Sequence, residues 1–152
     1  MDIKELKPTS IWHYFDAITG VPRPSKKEER IREFLLNFAK EQNLEVKVDK
    51  TGNVVITKEA TPGCEGAPTV ILQAHMDMVC EKNGDVKHDF ERDPIETYID
   101  GEWVKARGTT LGADNGIGMA AAMAVLVDKE LKHGRIQALF TVDEETGLTG
   151  AF

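Results

Sequence analysis

Apolar residues recur at helical spacing early in the chain and at alternate positions later, so a helical start passing into strands is predicted. Ile31, Phe34, Leu35 and Phe38 fall on one helical face, and Ser25-Lys26-Lys27-Glu28 has the form of a capping box opening that helix. Before it, a helix from Ile11 to about Thr19 takes Thr9 or Ser10 as its cap and is stopped by Gly20, Pro22 and Pro24. Leu44 to Val48 and Asn53 to Thr57 alternate in the strand manner around Asp49-Lys50-Thr51-Gly52, which predicts a hairpin at a sheet edge. After a Gly/Pro-rich loop, Glu59 to Pro68, the run Val70-Ile71-Leu72 predicts a strand whose core is covered on both faces. Glu81 to Pro94 is too charged for a core, and Asp100-Gly101 joins a second hairpin, Ile95 to Ile99 and Glu102 to Ala106. An Ala- and Met-rich helix from Asn115 to about Lys132 follows, stopped by His133-Gly134, then a strand from Arg135 to Asp143 and a helix beginning near Thr146. This order predicts one α/β domain with a mixed sheet.

Charge and length narrow the classes of function. The 152 residues carry 19 Lys and Arg against 26 Asp and Glu, a net charge of −7 with no basic stripe, which argues against nucleic acid or an anionic membrane as partner. No apolar run approaches the roughly 20 residues that span a bilayer, and Met1 to Lys7 lacks the apolar centre of a signal peptide, so a cytoplasmic protein is expected. Cys64 and Cys80 have neither zinc-knuckle nor redox spacing and are expected to be reduced bystanders.

The candidate chemistry lies at strand ends. In extended geometry residues two apart face the same side, so His75 and Asp77 project together from the end of the apolar strand. Asp114 sits in Thr110-Leu111-Gly112-Ala113-Asp114-Asn115-Gly116, and Glu144-Glu145 closes the strand that ends at Asp143. One imidazole with several hard carboxylates suits zinc, cobalt or manganese in a hydrolase centre, provided that the three segments converge on one sheet edge. A dication also offsets the repulsion between Glu144 and Glu145. His88 and Asp89, in the polar stretch, have no strand to fix them and are not expected to be ligands. The rival is a non-enzymatic nucleotide-binding or scaffolding module, because Gly116-Ile117-Gly118-Met119-Ala120-Ala121 fits G-x-G-x-x-A with Asp143 downstream. Against it, the approach to Gly116 is polar and sets Asp114 beside the supposed pyrophosphate.

His75-Met76-Asp77, Gly112-Ala113-Asp114-Asn115-Gly116 and Glu144-Glu145-Thr146-Gly147, in that order, resemble the motifs of the dinuclear-zinc dipeptidases, deacylases and carboxypeptidases related to carboxypeptidase G2 and aminoacylase. The fuller stretches Gln73 to Val79 and Thr109 to Gly116, with Ile11-Trp12-His13-Tyr14-Phe15 and Pro22-Arg23-Pro24-Ser25, look like the aminoacyl-histidine, or cytosolic non-specific, dipeptidase branch. The resemblance implies a three-layer α/β/α, zinc-exopeptidase-like domain that residues 1–152 leave incomplete at the C-terminus. It implies that His75 binds one zinc ion, Glu145 the other and Asp114 both, with cobalt or manganese as substitutes. Asp77 would hydrogen-bond the free ring nitrogen of His75, Glu144 would be the general base, and the Asp114–Asn115 peptide would be cis. It further implies dipeptide substrates, of the Xaa-His type and others, and a homodimeric full-length protein. The remaining metal ligands and a lid and dimerisation domain would lie beyond Phe152, leaving the chain alone inactive and inclined to self-associate. A metal-dependent amidohydrolase acting on N-acyl amino acids is the alternative within the same chemistry.

Overall fold

The protein is described here by a computed structural model covering residues 2–152. A short 3-10 helix, Ile3–Glu5, leads into α1, Thr9–Thr19, and α2, Glu29–Glu41. The strands β1, Glu45–Val48, β2, Val54–Lys58, and β3, Val70–His75, follow. A separate ribbon of β4, Thr97–Asp100, and β5, Trp103–Ala106, precedes α3, Ala113–Val127; β6, Ile136–Thr141, and a single turn, α4, Glu144–Gly147, then lead to a last 3-10 turn, Thr149–Ala151.

Four strands form one mixed sheet in the order β1-β2-β6-β3. The hairpin of β1 and β2 lies at its edge as expected, β2 pairs antiparallel with β6, and β6 pairs parallel with β3. Parallel pairing needs a long crossover, which α3 supplies. Ala74 stands opposite Phe140 and His75 opposite Thr141, so β3 and β6 finish together and release their chains at one edge. That register positions the site.

Buried Ala74, Val54, Ile56, Ala138 and Phe140 meet Phe15 and Ile18 of α1, Ile31, Leu35 and Phe38 of α2, and Met119 and Met123 of α3 in one core. The apolar stripe read from α2 is therefore the buried one, with Phe34 at its margin. Gly116 explains how closely α1 and α3 approach: a Cβ there would lie 3.2 Å from the Phe15 ring and 2.8 Å from the Arg23 guanidinium. Among the described residues no helix is long and apolar enough to cross a membrane.

Several local expectations are corrected. The first turn of β3 is not covered on both faces: Val70 is 51% and Ile71 60% exposed, because β3 has a hydrogen-bonded neighbour on one side only. α1 starts at Thr9 with Pro8, after a cis Lys7–Pro8 peptide, at the cap position, and no side chain caps it. α3 stops at Val127 instead of near Lys132, because the Asp128 carboxylate accepts from the N–H groups of Glu130 and Leu131 and turns the chain out of the helix. α4 starts at Glu144, two residues before the expected Thr146. Ser25 to Glu28 forms no capping box, since no side chain caps α2; both residues bond elsewhere. A true capping box occurs at Asp2 and Glu5.

Candidate metal centre

Three segments converge at the edge where β3 and β6 end. His75 is the last residue of β3 and is buried. Asp114 stands at the entrance to α3, where Gly112 is left-handed at φ 71°, Asp114 and Asn115 depart from helical angles, and their peptide bond is cis. Beyond β6, Asp143 takes a left-handed conformation, φ 53° and ψ 45°, and swings the chain into α4, so that Glu144 and Glu145 face back over the strand ends. Thr146 and Thr149 hydroxyls donate to the Asp143 carboxylate and hold it below the ordinary carboxylate range. His75, Asp114 and Glu145 each offer a ligand atom, and these atoms lie within 4.8 Å of one another.

Asp77 organises this cluster from beneath. It is wholly buried and accepts from Ser25 Oγ at 2.6 Å and from the N–H groups of Glu144 and Glu145 at 3.0 and 3.1 Å. Its Oδ1 and its carbonyl oxygen lie 3.2 and 3.1 Å from His75 Nδ1. Both are acceptors, so Nδ1 carries a proton; Nε2 lies 2.9 Å from Asp114 Oδ1 and donates to it when the ring is protonated, and loss of that second proton leaves the Nε2 lone pair for a cation. Burial alone would raise the Asp77 carboxyl, but the bonds from His75, Ser25, Glu144 and Glu145 outweigh it and hold Asp77 well below the usual carboxylate range. Burial would lower His75, yet hydrogen bonds to Asp77 and Asp114 and the charges of Asp77 and Glu144 push it up to about 9. Burial raises the Glu145 carboxyl, with Glu144, Asp114 and Asp77 adding to the rise against the opposing pull of His75. One imidazole nitrogen and two carboxylates, close together, are the donor set that a borderline divalent cation takes.

A family profile, Peptidase family M20/M25/M40, matches residues 71–151, more than half of the chain. The chain belongs to that family. The cytosol non-specific dipeptidase of Escherichia coli K12 is 52% identical to this M20 chain over 151 residues, 99% of the chain and 31% of the relative. The crystal structure of aminoacylhistidine dipeptidase from Vibrio alginolyticus superposes with a TM-score of 0.98 at 56% identity, over 100% of this chain and 31% of that one. A tripeptidase from Staphylococcus aureus superposes with a TM-score of 0.78 at 27% identity, covering 96% of this chain and 39% of that one. The M20 chain thus spans about a third of the length of these proteins and has their mixed α/β fold.

Within the M20 chain, all five residues singled out from the sequence, His75, Asp77, Asp114, Glu144 and Glu145, lie at this edge. Glu144 stands slightly apart, its Oε2 3.8 Å from His75 Nε2 and its side chain partly exposed. His88 packs against Phe90 in the polar stretch, and Cys80 donates to the Met78 carbonyl at 3.5 Å; neither joins the cluster. The glycines at 116 and 118 follow irregular chain, not a strand, and Asp143 is occupied by its two threonines, so the dinucleotide pattern lacks its setting.

Three supporting residues escaped the sequence reading. Arg23 Nη1 donates to the carbonyls of Met76 and Asp77, both at 3.1 Å, and Nη2 to that of Gly112 at 2.5 Å. Ser25 binds Asp77, and Glu28 Oε1 accepts from the N–H of Asp143 at 2.9 Å. The available signal was an Arg and a Ser held between and beside prolines, a rigid extended stretch able to pair with a strand end, as Pro24 does with Met78.

Proposed function

We propose that the full-length protein carrying this chain is a dinuclear-metal dipeptidase, with zinc as its usual ion and dipeptides, including Xaa-His, as substrates. The observation that carries this reading is the convergence of His75, Asp114 and Glu145 over a buried Asp77, in a chain about half identical to two named dipeptidases. The carboxylate-rich donors also suit cobalt and manganese. The same reading makes the protein a cytoplasmic homodimer.

His75 and Asp114 would hold one ion, and Asp114 and Glu145 the other. A divalent pair held there would supply a water whose pKa is lowered to about 7 and would polarise the scissile carbonyl. Asp77 keeps the His75 proton on Nδ1 so that Nε2 remains a ligand. Glu144, which neighbours the ligand Glu145 without being tied to it, takes the proton of the attacking water and delivers it to the leaving amine. Asp77 also grips the N–H groups of Glu144 and Glu145, so a single carboxylate aligns both a ligand and the proton carrier.

The test is hydrolysis of a panel of dipeptides, tripeptides and N-acyl amino acids by the full-length protein, before and after chelation and after refilling with zinc, cobalt or manganese. Dipeptide cleavage lost on chelation and regained with metal is expected. Cleavage confined to N-acyl amino acids would reassign the substrate, and activity indifferent to chelation would end the metal reading.

A further inference from the structure

Arg23 is 1% exposed, and all of its hydrogen bonds go to backbone carbonyls. Burying a guanidinium carries a heavy desolvation cost, which an ion pair usually offsets. Here the side chain instead spends its donors on two segments far apart in sequence. Met76 and Asp77 follow directly on His75, and Gly112 stands two residues before Asp114. The guanidinium therefore joins, through one rigid plane, the strand end that carries the histidine to the turn that carries the aspartate. Elsewhere the two segments are zipped by the Thr110 N–H to the Glu81 carbonyl, at 2.9 Å, and by the Thr110 hydroxyl to the Val79 carbonyl, at 2.6 Å. Arg23 adds the connection at the ligand end.

The surroundings are shaped to this fork. Gly112 is left-handed, and a Cβ there would fall 2.5 Å from Arg23 Nη2. At Gly116 a Cβ would fall 2.8 Å from the same nitrogen. Both glycines leave room for one planar group that donates in two directions. A lysine ammonium is a point donor on a flexible stem and cannot reproduce that span.

We infer that Arg23 is a positioning residue whose guanidinium sets the spacing of His75 and Asp114, and through it the geometry of the ion pair that these ligands share. The inference rests on the dinuclear reading above and adds to it the element that fixes the two half-sites relative to each other.

The experiment compares the full-length wild type with Arg23→Lys and Gly112→Ala, reading circular dichroism, bound ions per chain after dialysis, the visible spectrum of the cobalt form, and kcat and KM on a dipeptide. Arg23→Lys keeps the charge and loses the fork; Gly112→Ala keeps the arginine and crowds it with a methyl. Both variants are expected to keep the wild-type dichroism, to lose affinity for the second ion by about 10-fold or more as outer supports of metal sites do, and to shift the cobalt bands. kcat should fall with KM little changed. Wild-type ion content, spectrum and kcat in both variants would overturn the inference, as would a loss of ions that only tracks a loss of fold. A wild type without bound ions would overturn the dinuclear reading itself, and that result is read before any variant is considered.

Discussion

Asp77 does at the residue scale what a lone carboxylate rarely does: it accepts four hydrogen bonds while fully buried, from the His75 ring, the Ser25 hydroxyl and two backbone N–H groups. Asp77→Asn keeps the shape but replaces one acceptor oxygen by a donor facing donors. We expect roughly 10–100-fold weaker metal binding in the full-length protein, measured by competition with a chromophoric chelator; unchanged affinity would remove Asp77 from the site. His75 makes a second prediction. In the metal-free protein its pKa is raised from 6.5 to about 9, so the folded state holds a proton that the unfolded chain releases near 6.5. The stabilisation is complete below 6.5 and is lost as pH rises through about 9. Asp77 has the opposite sign: its depressed pKa contributes stability above the usual carboxylate value of 3.8, lost as pH falls below it. Urea unfolding of the metal-free protein should show stability declining between pH 6.5 and 9 in the wild type and flattening in His75→Gln. Because metal and proton compete for Nε2, zinc affinity should climb across the same interval.

Among the elements, those legible in the sequence were the ones with a local cause. The hairpin of β1 and β2 was readable from alternation and its Asp-Gly-bounded turn, that of β4 and β5 from Asp100-Gly101, and the α2 stripe from its period. Leu35 is the centre of that stripe and fully buried, so Leu35→Ala should cost about 2–5 kcal/mol, whereas Phe34→Ala, at the margin, should cost less; thermal and urea unfolding read the difference. That His75, Asp77, Glu144 and Glu145 lie close together was legible because strand ends aim side chains predictably, whereas Asp114 reaches the same edge from the turn into α3. Elements decided by distant partners were not legible. Ser25 and Glu28 have the spacing of a capping box, yet Ser25 donates to Asp77, 52 residues away, and Glu28 accepts from the N–H groups of Lys26 and of Asp143, 115 residues away, while α2 begins only at Glu29. The end of α3 was missed because Asp128 offers its carboxylate to the following backbone, a choice that helical periodicity cannot register.

For the molecule as a whole, the parallel partnership of β3 and β6 leaves β3 with a bare edge and with Val70 and Ile71 in solvent. An unpaired strand with apolar side chains is a template for another chain. The 152 residues by themselves should therefore self-associate, and Ile71→Lys should reduce the association while changing stability by no more than about 0.5 kcal/mol, as exposed substitutions do. Light scattering of both proteins over a concentration series decides this; a wild-type chain that stays monomeric throughout would refute it.

The grip of Arg23 on carbonyls from either side of the exposed stretch between Lys82 and Asp93 also separates shape from connectivity. A protease that nicked this stretch would leave His75 and Asp114 on different polypeptides, yet still clasped by one side chain, a shared core and the packing of α3 on β3. Made apart and mixed, the two halves are expected to reassemble the cluster of donors as a complex of two peptides.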